Sequence, residues 1–281
     1  MLSAARAVPS LTERTPQQGQ AGMLRMKAAY RCHRRRATHV DHLRSMPVVR
    51  EEGAGVEFPL AQKFWEGDVF RCLGASTRNK KIMFLSVKVY TVACYVEAEK
   101  CARELGIRDR GGYFEASKDN SDDAFCSAVL DGAFHKCILV RLVRDVSGEM
   151  FAGALNDTLV PRMKLAGEMD KLEEFKAIFQ GKNLVEGTEV AMFWNVGTDE
   201  LDVLVTPPQQ QGFRDYANLQ PEKKIKSSSL SRGLFEVFLG EDSVTPLARI
   251  EWAKGARNLL ESEQVRRETR QGGEEETSIL P

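Results

Sequence analysis

The signatures of nucleotide binding and of serine hydrolysis are missing from this sequence of 281 residues. It has no G-x-G-x-x-G turn and no G-K-[ST] loop, so nucleotide phosphates find no glycine-rich cradle. No G-x-S-x-G elbow presents a serine nucleophile. Histidine is scarce: His33, His39 and His42 fall within the first fifty residues, which leaves His135 alone in the rest of the chain. A lone histidine at the start of a strand is more often a satisfied polar residue than a base. Cys32, Cys72, Cys94, Cys101, Cys126 and Cys137 form no C-x-x-C pair, which argues against a zinc centre. A chain this long buries enough surface without disulfide staples, so these cysteines read as buried, reduced thiols. No apolar run is long enough to span a bilayer. The formal net charge is zero, so nothing global steers the protein to nucleic acid or to an anionic membrane. No cofactor and no metal is implied.

The balanced charge hides a polar chain. Residues 1–50 hold nine arginines and Lys27 against only Glu13 and Asp41, and they include Arg34-Arg35-Arg36. They are rich in Ala and Ser and lack the continuous apolar core of a secretory signal. This composition predicts an organelle-targeting presequence, to a plastid in preference to a mitochondrion. A retained basic arm that binds an anionic surface is the alternative. Residues 51–263 have globular composition and are expected to form one domain. Residues 264–281 are acidic, with Glu274-Glu275-Glu276, and are expected to be a disordered tail.

Within the domain, strands are predicted at 56–59, 69–74, 82–96, 137–143, 190–194 and 201–205. The long segment 82–96 is rich in Val, Tyr, Phe and Thr and has neither Gly nor Pro. The run Cys137-Ile-Leu-Val-Arg-Leu-Val143 is nearly all apolar and predicts a strand buried on both faces. Helices are expected after the caps Ser121 and Ser147, the second of them ending at Pro161. Others carry Met169 to Phe179, Leu230 to Phe238 and, after Pro246, Leu247 to Leu260. Strands and helices do not alternate as β-α-β units, which favours an α+β layer over a doubly wound sheet.

Two side chains could carry chemistry. Arg78 lies in Leu73-Gly-Ala-Ser-Thr-Arg-Asn-Lys-Lys81, between two apolar strand segments. An arginine entering an apolar cleft is a fork for a carboxylate or an enolate, because it stays charged and donates two parallel hydrogen bonds. It also fits an exposed residue of a basic hairpin, beside Lys80 and Lys81. Tyr90 and Tyr95 have opposite parity on their strand and so face opposite sides of the sheet. Twelve extended steps would hold Arg78 and Tyr90 about 40 Å apart. They meet at one ligand only if the chain turns back between them.

Three blocks, in order, make these segments specific. Leu73-Gly-Ala-Ser-Thr-Arg78 with Val87-Lys-Val-Tyr-Thr-Val-Ala-Cys-Tyr-Val-Glu97 resembles the first signature of the chalcone isomerase family. Val143-Arg-Asp-Val-Ser-Gly-Glu-Met-Phe151 is similar to the second, and Ser229 to Gly240 with Asp242 to Pro246 to the third. The resemblance covers roughly residues 55–262 and implies an open-faced β-sandwich: an antiparallel sheet with helices packed on one face and a cleft between the two layers. It implies one of two activities, flavanone ring closure by an intramolecular lyase, or fatty-acid binding by the family's plastid relatives, in which Arg and Tyr grip the carboxylate.

Residue by residue, the resemblance places the isomerase's cleft arginine at Arg78 and its strand threonine at Tyr90. The active-site lysine falls on Leu142, the tyrosine of the second block on Phe151, the asparagine on Thr158 and the late hydroxyl near Ser231. The lost lysine and hydroxyls remove electrostatic help for cyclisation. The implied function is therefore a fatty acid, or another small carboxylate-bearing apolar ligand, held through Arg78, Tyr90, Phe151, Thr158 and Ser231. Phe84, Leu155, Leu234 and Phe235 are expected as further lining. The alternatives are an intramolecular lyase acting on a phenolic enone through Arg78, and a structural organellar protein that keeps the fold without a ligand. Oligomeric state is not legible in the sequence.

Overall fold

The computed structural model describes residues 47–82, 85–115 and 121–277, apart from the side chains at 81, 82, 85, 121 and 267–277. Residues 1–46, with Cys32 among them, Phe84 and the capping side chain of Ser121 lie outside the described residues. A seven-stranded antiparallel sheet runs in the order β11-β10-β9-β6-β5-β4-β3. Its strands are β3 (Ala61–Gln62), β4 (Phe70–Ile82), β5 (Leu85–Glu97), β6 (Lys136–Leu142), β9 (Glu189–Asn195), β10 (Glu200–Thr206) and β11 (Lys223–Lys226). Two small ribbons join β1 (Val48–Glu51) to β2 (Val56–Pro59) and β7 (Val146–Ser147) to β8 (Asn183–Leu184). The described residues also form six helices: α1 (Ala98–Arg110), α2 (Ser121–Asp131), α3 (Gly148–Ala166), α4 (Met169–Ala177), α5 (Ser228–Leu239) and α6 (Pro246–Thr277).

Strand parity divides the core in two. Tyr90, Val92, Cys94 and Val96 of β5 face the helices, where Phe151, Leu155, Leu234, Phe238 and Trp252 pack against them. Ala93 and Tyr95 face the other way, into an aromatic cluster with Phe58, Phe64, Phe70, Phe193 and Tyr216. The hydroxyl of Tyr95 donates to the Pro59 carbonyl at 2.8 Å, tying the β1–β2 ribbon to that second face. The fold is the expected α+β arrangement, an antiparallel sheet with its helices on one side.

Several elements differ from what the sequence predicts, and one helix, α1, stands where no helix is expected. The segment Gly74 to Lys81 is no turn; it continues β4 as a strand through thirteen residues. Pro161 does not end α3, which runs on to a left-handed Gly167 (φ 72°). The proline removes one backbone hydrogen bond, and the continued burial of Leu159 and Met163 offsets that loss. The domain begins earlier than residue 51, because Val48 to Arg50 pair with β2. Finally, α6 continues past Glu263 to Thr277, over residues expected to be an unstructured tail. Gln264 Nε2 donates to Asp109 Oδ2 at 2.9 Å, giving the helix a tertiary anchor beyond its apolar stretch.

Helix α6 crosses β4 at a close approach that two glycines permit. A Cβ on Gly255 would stand 1.8 Å from the Leu73 carbonyl oxygen, and one on Gly74 would stand 3.0 Å from the Glu251 carbonyl oxygen. Trp252 Nε1 donates to the Gly74 carbonyl at 3.0 Å across the same contact. Gly255→Ala is expected to push the helix off the strand, at a cost near the upper end of overpacking, about 3 kcal/mol. Thermal denaturation should show a fall of roughly 6–12 °C for a domain of this size. Gly153, with open space where its Cβ would project, is the control; its replacement by alanine should leave the midpoint unchanged or raise it.

Candidate functional site

The β4–β5 hairpin turns the chain back and places Arg78 directly opposite Tyr90. Arg78 Nη1 donates to Tyr90 Oη at 3.2 Å, and the guanidinium carbon lies 5.5 Å from the ring centroid. The register slips by one residue just beyond this pair, so that Asn79 faces Lys88 and Val89 is bulged out of the ladder. The bulge aims two consecutive residues, Val89 and Tyr90, at one space. Val143 N donates to the Val89 carbonyl at 3.2 Å, which draws the turn after β6 alongside.

That space is a cleft of about 230 Å³ between the end of the sheet and helix α3. Its polar rim is Arg78, Lys80, Arg144 and Asp145, and its wall is Val89, Tyr90, Val146, Met150, Phe151, Ala154, Leu155 and Phe238. Ser147 fixes the start of α3, its Oγ accepting from Met150 N at 3.2 Å. One turn of that helix then delivers Met150, Phe151, Ala154 and Leu155 to the cleft, the i, i+1, i+4, i+5 spacing of one face. Phe151 meets the Tyr90 ring edge-on, with centroids 6.4 Å apart.

Tyr90 is 4% exposed, and burial raises its phenol above the ordinary value while the Arg78 charge and hydrogen bond pull it back down. The phenol is a neutral donor at physiological pH. Arg78 is half-buried and has no carboxylate partner among the described residues. A half-buried guanidinium against an apolar wall, beside a phenolic donor, is a receptor for an anionic head with a greasy body.

Of the five ligand residues expected from sequence, three meet here: Arg78, Tyr90 and Phe151. Thr158 and Ser231 do not. Thr158 lies a turn beyond Leu155, past the end of the cleft, and its carbonyl accepts from Arg162 Nη1 at 3.1 Å. Ser231 is fully buried, and its hydroxyl donates to the Ser227 carbonyl at 2.8 Å. Among the expected lining residues Leu155 is present, whereas Leu234 and Phe235 belong to the core, Phe235 against Trp194. Sequence reasoning missed Val89, Met150 and Phe238, and it gave no role to Arg144. His135 Nδ1 accepts from Val196 N at 3.3 Å, and burial lowers its pKa, so the imidazole is a neutral structural acceptor.

Among the described residues, no group of three His, Cys, Asp or Glu side chains could hold a metal ion, and no helix is long and apolar enough to cross a membrane. The five described cysteines are free and buried; burial pushes the Cys72 thiol up to about 12. No family model matches the chain.

Known proteins nevertheless share both its sequence and its architecture. The chain is 24% identical over 225 residues to the chalcone–flavanone isomerase of Hordeum vulgare, spanning 76% of this chain and 92% of that protein. Identity to the Canna generalis chalcone–flavanone isomerase is also 24%, over 193 residues, 67% of this chain and 81% of that one. The crystal structure of the Arabidopsis thaliana fatty-acid binding protein AtFAP1 superposes with a TM-score of 0.59 at 19% identity, covering 76% of this chain and 99% of its own. The fold is chalcone isomerase-like. Within this fold, Leu142 pairs in register with Tyr90 and is buried in the core, so no amine reaches the cleft from that position of β6.

Proposed function

We propose that this protein binds a fatty acid without transforming it, the carboxylate clamped by Arg78 and Tyr90 and the acyl chain lying against Phe151, Leu155 and Phe238. The observation that carries this reading is the Arg78–Tyr90 hydrogen bond at the polar rim of a cleft whose wall is apolar. The guanidinium supplies two donors in a plane that matches a carboxylate, and the neutral phenol adds a third. A volume of 230 Å³ equals roughly eight water-sized volumes of about 30 Å³, enough for a short-to-medium chain. Eight buried methylenes contribute about 6 kcal/mol before association and ordering costs. Calorimetric titration with laurate is expected to give saturable one-to-one binding, and native mass spectrometry of protein purified from its source should show co-bound lipid. Absence of both ends the reading.

The isomerases among the relatives support a second reading, an intramolecular lyase closing a phenolic enone through Arg78. Cyclisation of naringenin chalcone no faster than the spontaneous rate removes it. The basic, acid-poor leader supports import into a plastid rather than a mitochondrion. A fluorescent fusion of residues 1–50 that stays in the cytosol, or enters mitochondria, counts against that assignment.

A further inference from the structure

We infer that the cleft also takes a phosphate monoester head and holds it more tightly than a carboxylate, so that a single-chain lipid phosphate is a further ligand beside the fatty acid; this deepens the lipid-binding reading of the same cleft and rests on it. Three cations line one small space, Arg78, Lys80 and Arg144, in a protein whose formal net charge is zero. The one acid on the rim, Asp145, has Oδ1 engaged by the Glu186 backbone N–H at 2.8 Å, which holds the carboxylate toward its own loop. The rim therefore carries an excess of two positive charges.

How this protein treats its other partly buried arginines makes the excess informative. Arg141 and Arg214 pair with Glu189, Arg162 with Glu236, Arg249 with Asp123 and Arg257 with Asp122. Among the described residues, the half-buried Arg78 has no such partner, and the exposed Lys80 and Arg144 share its cleft, where like charges repel. The fold also takes trouble to assemble them. Arg78 and Lys80 come from β4 on either side of the register slip, and Arg144 comes from the turn held to the bulged Val89.

A carboxylate has two oxygens and a single negative charge, and the fork of Arg78 with the Tyr90 hydroxyl takes up that charge and three of its roughly four acceptor positions. It would leave Lys80 and Arg144 facing each other without a counter-charge. A phosphate monoester has three terminal oxygens and between one and a half and two negative charges near neutrality. One oxygen edge can take the Arg78–Tyr90 pair while the outer oxygen meets Lys80 and Arg144 at the solvent side. Met150, 64% exposed beside them, gives the chain an apolar lip to cross.

The test compares decyl phosphate, decanoate and inorganic phosphate on the full-length chain by calorimetry at pH 7.5 and low salt. Decyl phosphate is expected to bind about tenfold or more tighter than decanoate, with inorganic phosphate weaker than either by at least a hundredfold. In the Lys80→Gln/Arg144→Gln double variant that advantage should shrink to within about twofold. Both side chains are exposed, so folding should be unaffected. The unsubstituted protein supplies a second readout: the advantage should fade between pH 7.5 and 5.5, as the phosphate takes up its second proton near pH 6. Equal affinities, or tighter binding of decanoate, overturn the phosphate assignment and leave the fatty-acid reading standing. Failure of both amphiphiles to bind overturns the two together. Inorganic phosphate binding as tightly as decyl phosphate overturns it by showing an anion patch independent of the cleft.

Discussion

Arg78→Met is expected to weaken laurate binding by about 30- to 150-fold, the loss of roughly 2–3 kcal/mol that follows removal of one partner from a desolvated charged pair. Methionine keeps much of the arginine stem's apolar contact with the Tyr90 ring, so the change isolates the charge. The low end of the range applies because Arg78 is half-buried and water partly screens it. Tyr90→Phe should cost only about two- to tenfold, since it removes a neutral hydrogen bond worth about 0.5–1.5 kcal/mol and keeps the ring that meets Phe151. Burial keeps the Tyr90 phenol protonated well above neutrality, so its donor role does not titrate in the physiological range. Affinity for a carboxylate should therefore be flat from about pH 6 to 9 and fall only as the ligand itself is protonated, below roughly pH 5. Titration calorimetry of both variants checks the order of effects. If the tyrosine variant loses more than the arginine variant, the charged fork is not the anchor.

Why Arg78 and Tyr90 could be named from sequence, and their neighbours could not, has a physical explanation. The two sit in a stretch whose residue types and order resemble a known signature, and the strand between them is legible from its β-branched and aromatic residues alone. Their meeting depends on the hairpin register, which is set by pairing along thirteen residues and not by any local pattern. The bulge that exposes Val89 depends on that same register and leaves no signal in composition. Thr158 and Ser231 rest on the resemblance alone, with no local pattern behind them. Here Leu155 and Phe238 close the space before Thr158, and Ser231 spends its hydroxyl on its own helix.

The helices were legible where caps and apolar faces agreed, as at Ser147 and through Met150, Phe151 and Leu155. They were misread where a local breaker competed with tertiary burial. Pro161 is a helix stop by its own chemistry, yet the core contacts of Leu159 and Met163 on either side outweigh it. In the same way Gly74 suggests a turn, but its missing side chain serves the approach of α6 to β4. The arginine near the middle of the run Cys137 to Val143 reads from sequence as an interruption. In the fold Arg141 donates twice to the buried Glu189 and once to the Glu57 carbonyl.

That pair carries the second large effect. Glu189 on β9 is nearly fully buried and accepts from Arg141 Nε at 2.9 Å and Nη2 at 2.5 Å, from Arg214 Nε at 2.8 Å and from the Tyr216 hydroxyl at 2.8 Å. Four donors on one carboxylate tie the loop between β10 and β11 to the face of the sheet away from the helices. Glu189→Ala leaves two guanidinium groups and a phenol without their acceptor, which should cost about 3–5 kcal/mol. In a domain of this size the thermal midpoint should drop by roughly 6–20 °C. Burial pushes the Glu189 carboxyl up, but the Arg141 charge and the hydrogen bonds from Arg214, Tyr216 and Arg141 more than reverse this and hold it below the ordinary range. A carboxyl whose folded pKa lies below its unfolded value near 4.3 stabilises the protein above that pH and ceases to do so as pH falls through the folded value. The gap between the native protein and Glu189→Ala should accordingly be full at pH 7 and narrow steadily below about pH 4. Chemical denaturation at several pH values measures it. A gap that stays constant into acid would mean that the side chain stabilises the loop by packing alone, with its charge contributing nothing.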